Sequence, residues 1–185
     1  MFRSGIVKLS YLGAEVQIKP EGEISTSDFK HLSSLFRYTL HNNTGTELKV
    51  KNITATMTSP LFVKHASFCP YNKLGFTMTA EISSNSSTLK FSNVNNNDYA
   101  TIANNESYDA FMPFLTGAGM KNSENITFAE DEKLVISAQI IVGDEEKDIT
   151  LLTIDASQIA AANNGVNYFE RGKRYWFDLH FDPIQ

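Results

Sequence analysis

Apolar residues recur at every second position through most of this 185-residue chain. A period of two belongs to β-strands that turn one face to a core. The sharpest instance lies near the C-terminal end, where Tyr175, Phe177, Leu179 and Phe181 alternate with Arg174, Trp176, Asp178 and His180. That pattern predicts a strand with the first set buried and the second facing away from the core. Leu74, Phe76, Met78, Ala80 and Ile82 repeat it, as do Tyr108, Ala110, Met112 and Phe114. Pro113 has no N–H to give to a ladder, so the strand that carries it is expected at a sheet edge.

Turn chemistry predicts how some strands connect. Phe36, Tyr38 and Leu40 lead into Asn42-Asn43-Thr44-Gly45, whose residues tolerate positive φ, and the chain returns through Leu48 and Val50, which reads as a hairpin. Beyond Lys51 the apolar set shifts phase to Ile53, Ala55 and Met57, predicting a β-bulge or a change of sheet near Asn52. The same flip separates Val7, Leu9 and Tyr11 from Ala14, Val16 and Ile18, with Gly13 at the join. A second hairpin runs from Leu134 to Val142, turns at Gly143-Asp144-Glu145-Glu146 and returns from Ile149 to Ile154; its length predicts a central pair. One short helix is expected at 156–162, with Asp155 as N-cap, Gln158 three residues on and Asn164-Gly165 at its end. The segments Ser83 to Ser87, Asn93 to Asp98 and Asn104 to Ser107 read as exposed loops.

Composition narrows the class. With 42% hydrophobic and 20% charged residues and a net charge of -5, the chain fits one domain over residues 1–185, large enough to bury a core without a metal or disulfide staple. The acidic balance disfavours nucleic-acid binding, and no apolar run approaches a membrane span. Residues 1–10 lack the layout of a signal peptide, so any export signal is expected to have been removed or never to have existed. About a quarter of the residues are Asn, Ser or Thr, and Cys69 is the only cysteine, which suits an exported protein with polar β faces.

Motifs of catalysis are missing from the sequence: no Gly-x-Ser-x-Gly elbow, no phosphate-cradling glycine loop, no His-Glu-x-x-His. His31, His41, His65 and His180 lie without ligand spacing, and Cys69 reads as a small apolar group in or near the core, so neither metal nor cofactor is expected and the chain reads as a non-enzyme. The acidic clusters Glu130-Asp131-Glu132 and Asp144-Glu145-Glu146 read as solvated loop and hairpin ends. Five Asn-x-Ser/Thr triplets, at Asn42, Asn52, Asn85, Asn105 and Asn125, fit a glycosylation pattern that an Asn-rich chain produces by chance.

Three segments, in order, resemble the Bacteroidetes fimbrillin family of surface proteins. They are Phe36 to Gly45 followed by Leu48 to Thr56; Ser107 to Leu115 with the hairpin from Leu134 to Ile154; and Arg171-Gly172-Lys173-Arg174-Tyr175-Trp176-Phe177, similar to the Gly-Lys-x-Tyr signature that closes that family's N-terminal domain. The resemblance implies an all-β fold: a two-sheet antiparallel β-sandwich of the transthyretin-like, Greek-key type, here with one short crossover helix. It implies a place at the cell surface in a fimbrium, with outer-membrane anchoring through a lipid that this chain lacks. The expected partners are other fimbrial subunits, with host or bacterial surface proteins or glycans beyond them.

In such assemblies a strand lost by proteolysis is replaced by a neighbour's extended segment, a form of β-augmentation. Val7, Leu9 and Tyr11, on a peripheral first strand with Arg3 and Lys8 as cleavage points, are the strand-exchange candidates. A second expectation, from the residues themselves, is a carbohydrate-binding surface. Trp176 sits on the polar phase of the last strand and is the candidate glycan contact.

Overall fold

The computed structural model describes residues 12–13, 16–18, 24–26, 30–31, 33–69, 79–92, 99–117 and 127–183. Val7, Leu9, Tyr11, the stretch 74–78 and the segment 93–98 lie outside them. The strands are β1 (Leu12–Gly13), β2 (Val16–Ile18), β3 (Ile24–Thr26), β4 (Lys30–His31), β5 (Ser33–Asn42), β6 (Leu48–Met57), β7 (Phe62–Cys69), β8 (Thr79–Ser86), β9 (Thr88–Ser92), β10 (Ala100–Ile102), β11 (Ser107–Thr116), β12 (Lys133–Val142), β13 (Glu145–Asp155) and β14 (Arg174–Phe181), with one helix, α1 (Ala156–Ala162), before β14.

Two five-stranded sheets form an all-β sandwich. In the first, β9 and β10 lie along one edge of β6, followed by β12 and then β13; the second has the order β14-β5-β11-β7-β8. Two small ribbons, β1 with β4 and β2 with β3, stand apart from these sheets. Among the described residues every pairing is antiparallel but one: β14 runs parallel to β5, from Arg174 beside Leu35 to Phe181 beside Asn42.

The period of two is realised as side chains meeting between the layers. Phe36, Tyr38 and Leu40 of β5, Ala110, Met112 and Phe114 of β11, and Phe177, Leu179 and Phe181 of β14 face Leu48, Ile53, Ala55 and Met57 of β6 and Leu134, Ile136 and Ile140 of β12. Each fully buried large side chain contributes roughly 1.5–3 kcal/mol. Phe169, on the segment between α1 and β14, enters one end of this core, with ring centroids 5.0–5.7 Å from Phe36, Phe62, Phe114, Phe128 and Tyr175.

Local predictions from the sequence are realised where they depended on phase. The bulge falls beside Asn52: Gln139 pairs with Asn52 and Ile140 with Val50, leaving Lys51 between them. α1 spans the expected residues, with Gln158 Oε1 accepting the Asp155 N–H at 3.1 Å and Asn164 and Gly165 at positive φ beyond its end. It carries the chain from one sheet to the other, as a crossover.

Predictions about partners fared differently. β5 and β6 are not a hairpin; they belong to opposite sheets, and 43–47 arches between them. Asn42 accounts for the arch. Fully buried, it donates through Nδ2 to the carbonyls of Thr46 (2.7 Å) and Ile102 (2.9 Å) and accepts through Oδ1 from the Thr44 N–H (3.0 Å) and hydroxyl (2.7 Å). With both its donors and its acceptor used internally, Asn42 is also no glycosylation site.

The hairpin β12–β13 forms as expected, around Gly143 at φ +62°, but only β12 is central; β13 ends its sheet. Residues Ser83 to Ser86 are the end of β8 rather than a loop, and Ser87 alone separates β8 from β9 in the other sheet. Pro113 lies in a strand with partners on both sides. β11 meets β7 only at Leu115 and Thr116, however, so at Pro113 the missing N–H costs no ladder bond. Glu132 is not solvated: it is 1% exposed, and its Oε1 accepts the Ser59 N–H at 2.8 Å.

Replacing Asn42 by Ala would strand the Ile102 carbonyl and the Thr44 N–H. Asn42→Ala is therefore expected to lower the unfolding free energy by about 3 kcal/mol in urea titration, whereas Asn43→Ala on the exposed side of the arch should change it by less than about 0.5 kcal/mol.

Candidate functional site

The end of the second sheet is built by the Arg171–Tyr175 turn. Gly172 takes φ +73°, a conformation that favours glycine, and donates its N–H to Ser33 O at 3.0 Å; Lys173 O accepts from the Leu35 N–H at 3.0 Å. The Tyr175 hydroxyl accepts the Glu170 N–H at 2.8 Å, and Ser34 Oγ donates to Glu170 O. Burial pushes the Tyr175 phenol up to about 12. The spacing Gly-Lys-x-Tyr thus has a physical meaning: glycine turns the chain, the lysine carbonyl starts the ladder and the tyrosine closes the loop behind it.

From that start the even residues of β14 point outward. Trp176, whose polar-phase position left open whether a second layer or a loop would cover it, is 60% exposed. Register places it beside Arg37 on β5, which is itself beside Phe111 on β11. The guanidinium lies 4.6 Å from the Trp176 ring centroid and 5.9 Å from that of Phe111, a cation–π sandwich. Trp176 Nε1–H donates to Thr39 Oγ1 at 2.9 Å, and the Thr39 hydroxyl donates to Asp109 Oδ1 at 2.7 Å. Asp109 also takes a forked pair from Arg37, Nη2 at 2.7 Å and Nε at 3.3 Å. The hydrogen bonds from Arg37 and then Thr39 hold its carboxyl below the ordinary carboxylate range. The indole is therefore held at its nitrogen and beneath its ring while staying open to solvent.

Further along the same face, His41 and His180 are cross-strand neighbours whose rings stack at 4.6 Å and 12°. Asp178 Oδ1 lies 2.6 Å from His41 Nε2. The two histidines that looked scattered in the sequence are brought together by the parallel pairing, a signal that no spacing rule could supply.

Beside β14 a cleft of about 370 Å³ opens, lined by Ile154 of β13, Ile159 and Ala162 of α1, and Tyr175, Trp176 and Phe177. The edge of β14 that borders it has no partner strand among the described residues. The Lys173 carbonyl accepts from Leu35 and the Phe181 carbonyl from the Asn43 N–H at 2.8 Å, so the odd residues serve the ladder with β5. The backbone groups of Arg174, Trp176, Asp178 and His180 consequently face outward from the sheet. Among the described residues no helix is long and apolar enough to cross a membrane. Cys69 ends β7.

No family model matches the chain, and no curated protein does. Among solved structures it is similar to one described as a "putative cell adhesion protein" from Bacteroides fragilis, with a TM-score of 0.49 and 8% sequence identity over 94% of this chain and 55% of that one. The chain thus spans about half the length of that structure.

The Asp109 network gives a titration with a definite sign. A carboxyl with a lowered folded pKa stabilises the platform above the ordinary value of 3.8 and loses that contribution as pH falls through its lower folded value. Trp176 is the sole tryptophan, so its fluorescence should shift in a transition centred below pH 3.8, ahead of any loss of far-ultraviolet circular dichroism. Asp109→Asn should abolish that transition.

Proposed function

We propose that this chain is a non-enzymatic structural or adhesive subunit of a cell-surface fimbrial assembly and joins its neighbours by β-strand addition. The observation that carries this reading is the outward row of backbone donors and acceptors on β14, beside a cleft that is mostly apolar, with Gln158, Asn163, Lys173 and Arg174 also lining it. Such an edge is a template for an extended chain, and folded proteins ordinarily cover, shorten or charge it. Its natural occupant is an extended segment of a neighbouring subunit, whose backbone would pair with Arg174 to His180 and whose alternate side chains would enter the cleft. The fimbrillin resemblance of the three sequence segments supplies the biological setting.

The test uses the full chain. Trimming at Arg3 or Lys8, or deletion of 1–12, is followed by light scattering, with growth in particle size expected. Arg174→Pro removes one outward N–H at the first residue of the strand, where proline is tolerated, and should suppress growth while leaving circular dichroism unchanged. A trimmed chain that stays monomeric, or growth indifferent to Arg174→Pro, would overturn assembly through this edge.

A second reading, a carbohydrate-binding surface, is favoured by Trp176 alone. A tryptophan held at its nitrogen and beneath its ring presents a rigid apolar face of the kind on which a sugar ring stacks, with little entropy left to lose. On a glycan array the chain should bind a defined set of glycans and Trp176→Ala should lose them; an array with no response to the parent chain removes this reading.

A further inference from the structure

We propose that His41, Asp178 and His180 form a binding site for a divalent transition metal of the Zn2+ type, which staples the edge strand β14 to its neighbour β5. One ligand atom from each residue lies within 4.8 Å of the others. Two imidazoles and one carboxylate are a donor set suited to Zn2+, Ni2+ or Cu2+ rather than to Ca2+ or Mg2+, which take oxygen ligands. Around a tetrahedral Zn2+ the donor atoms stand roughly 3.3 Å apart. To reach that spacing with the metal in the plane of both imidazoles, the rings must rotate out of their stack, and the exposure of Asp178 and His180 and the half-burial of His41 leave room for it.

The backbone already does the rest. Parallel pairing sets His41 opposite His180, while Asp178, two residues back on β14, shares the same face. The short contact between Asp178 Oδ1 and His41 Nε2 sets two ligand atoms side by side; with the single ring proton of neutral His41 on Nδ1, both atoms have lone pairs to offer a metal. Outside the cluster, the Asn43 amide lies 3.5 Å from His180 Nδ1 and 3.4 Å from Asp182 Oδ1. Three protein ligands leave one position for water.

The consequence is mechanical. Among the described residues β14 is bound to its sheet along one side only, and a metal bridging it to β5 would be present in the folded chain and absent from the unfolded one, raising stability with metal concentration. Untagged full-length protein is titrated with ZnCl2 in a calorimeter, and its melting temperature is followed with and without the metal. Saturable binding of one Zn2+ per chain and an upward melting shift are expected. His41→Ala and His180→Ala should each weaken binding about tenfold or more and remove the shift, with His65→Ala on β7 behaving as the parent.

Cu2+ supplies a readout independent of stability: bound here, it should quench Trp176 fluorescence in the parent and in His65→Ala, and far less in His180→Ala. Absence of saturable Zn2+ binding, or binding that survives both His41→Ala and His180→Ala, would overturn the site. A folded His180→Ala variant, checked by circular dichroism, that still shows the Zn2+ melting shift would overturn the staple.

Discussion

The parallel pairing of β14 with β5 is the constraint on which most of this molecule's surface depends. It is the one parallel contact in a sandwich otherwise built from antiparallel neighbours. It comes about because α1 lifts the chain off the edge of the first sheet and Phe169 pins the following segment into the core before the Gly172 turn releases β14. Once the Lys173 carbonyl has engaged Leu35, register is fixed for eight residues, and a slip of one would expose Phe177, Leu179 and Phe181 while burying Asp178 and His180. The platform around Trp176, the histidine pair and the outward edge, unpartnered among the described residues, are all products of that single register.

What the sequence made legible was facing, and what it hid was partnership. The alternation of Tyr175 to Phe181, the phase slip beside Asn52 and the helix between Asp155 and Gly165 are local statements, each settled by a few adjacent residues. They stand in the structure. The Asn42 arch shows where local reasoning stops, because Asn-Asn-Thr-Gly suits a tight turn in either setting. What decides between hairpin and arch is the carbonyl of Ile102, 60 residues away. The facing of Trp176 away from the core was readable from phase, but whether anything covers it was not, and Arg37, Thr39 and Asp109 beneath it come from two other strands. His41 and His180 escaped notice for the same reason: ligand-spacing rules assume a helix or a loop, and a pair made by adjacent strands has no sequence signature.

Among the described residues, buried polar groups divide between those that fasten connections and two, the Tyr38 hydroxyl and the Asn163 amide nitrogen, that find no partner. Asn42 holds the arch between the sheets, and Glu132 holds the Ser59 N–H at the exit of β6. Each uses a side chain to satisfy backbone groups where the ladder ends, the situation in which a buried polar residue stabilises. Tyr38 is the contrast. Its ring stacks on Phe177 at 5.8 Å in the middle of the core, and its hydroxyl has no partner among the described residues. Burial drives its phenol well above the ordinary tyrosine value, so it stays neutral around neutral pH. Its contribution is apolar area and a stacked ring, and the hydroxyl is a cost the surrounding aromatic packing absorbs.

The same four residues, Arg174, Trp176, Asp178 and His180, present two different surfaces, and this follows from strand geometry rather than coincidence. In a pleated strand the residues whose side chains leave one face also send their backbone groups toward one edge. On β14 the odd set serves the core and β5, so the even set must supply both the outer face and the free edge. A strand added beside β14 would extend the sheet and bring its own outward side chains alongside Trp176 and His180, so edge pairing and face binding would report on one another. A metal held by His41, Asp178 and His180 would leave the outward backbone groups of β14 in place while tying the strand to β5. It would stiffen the template without occupying it, which separates a staple from a competitor for the same edge.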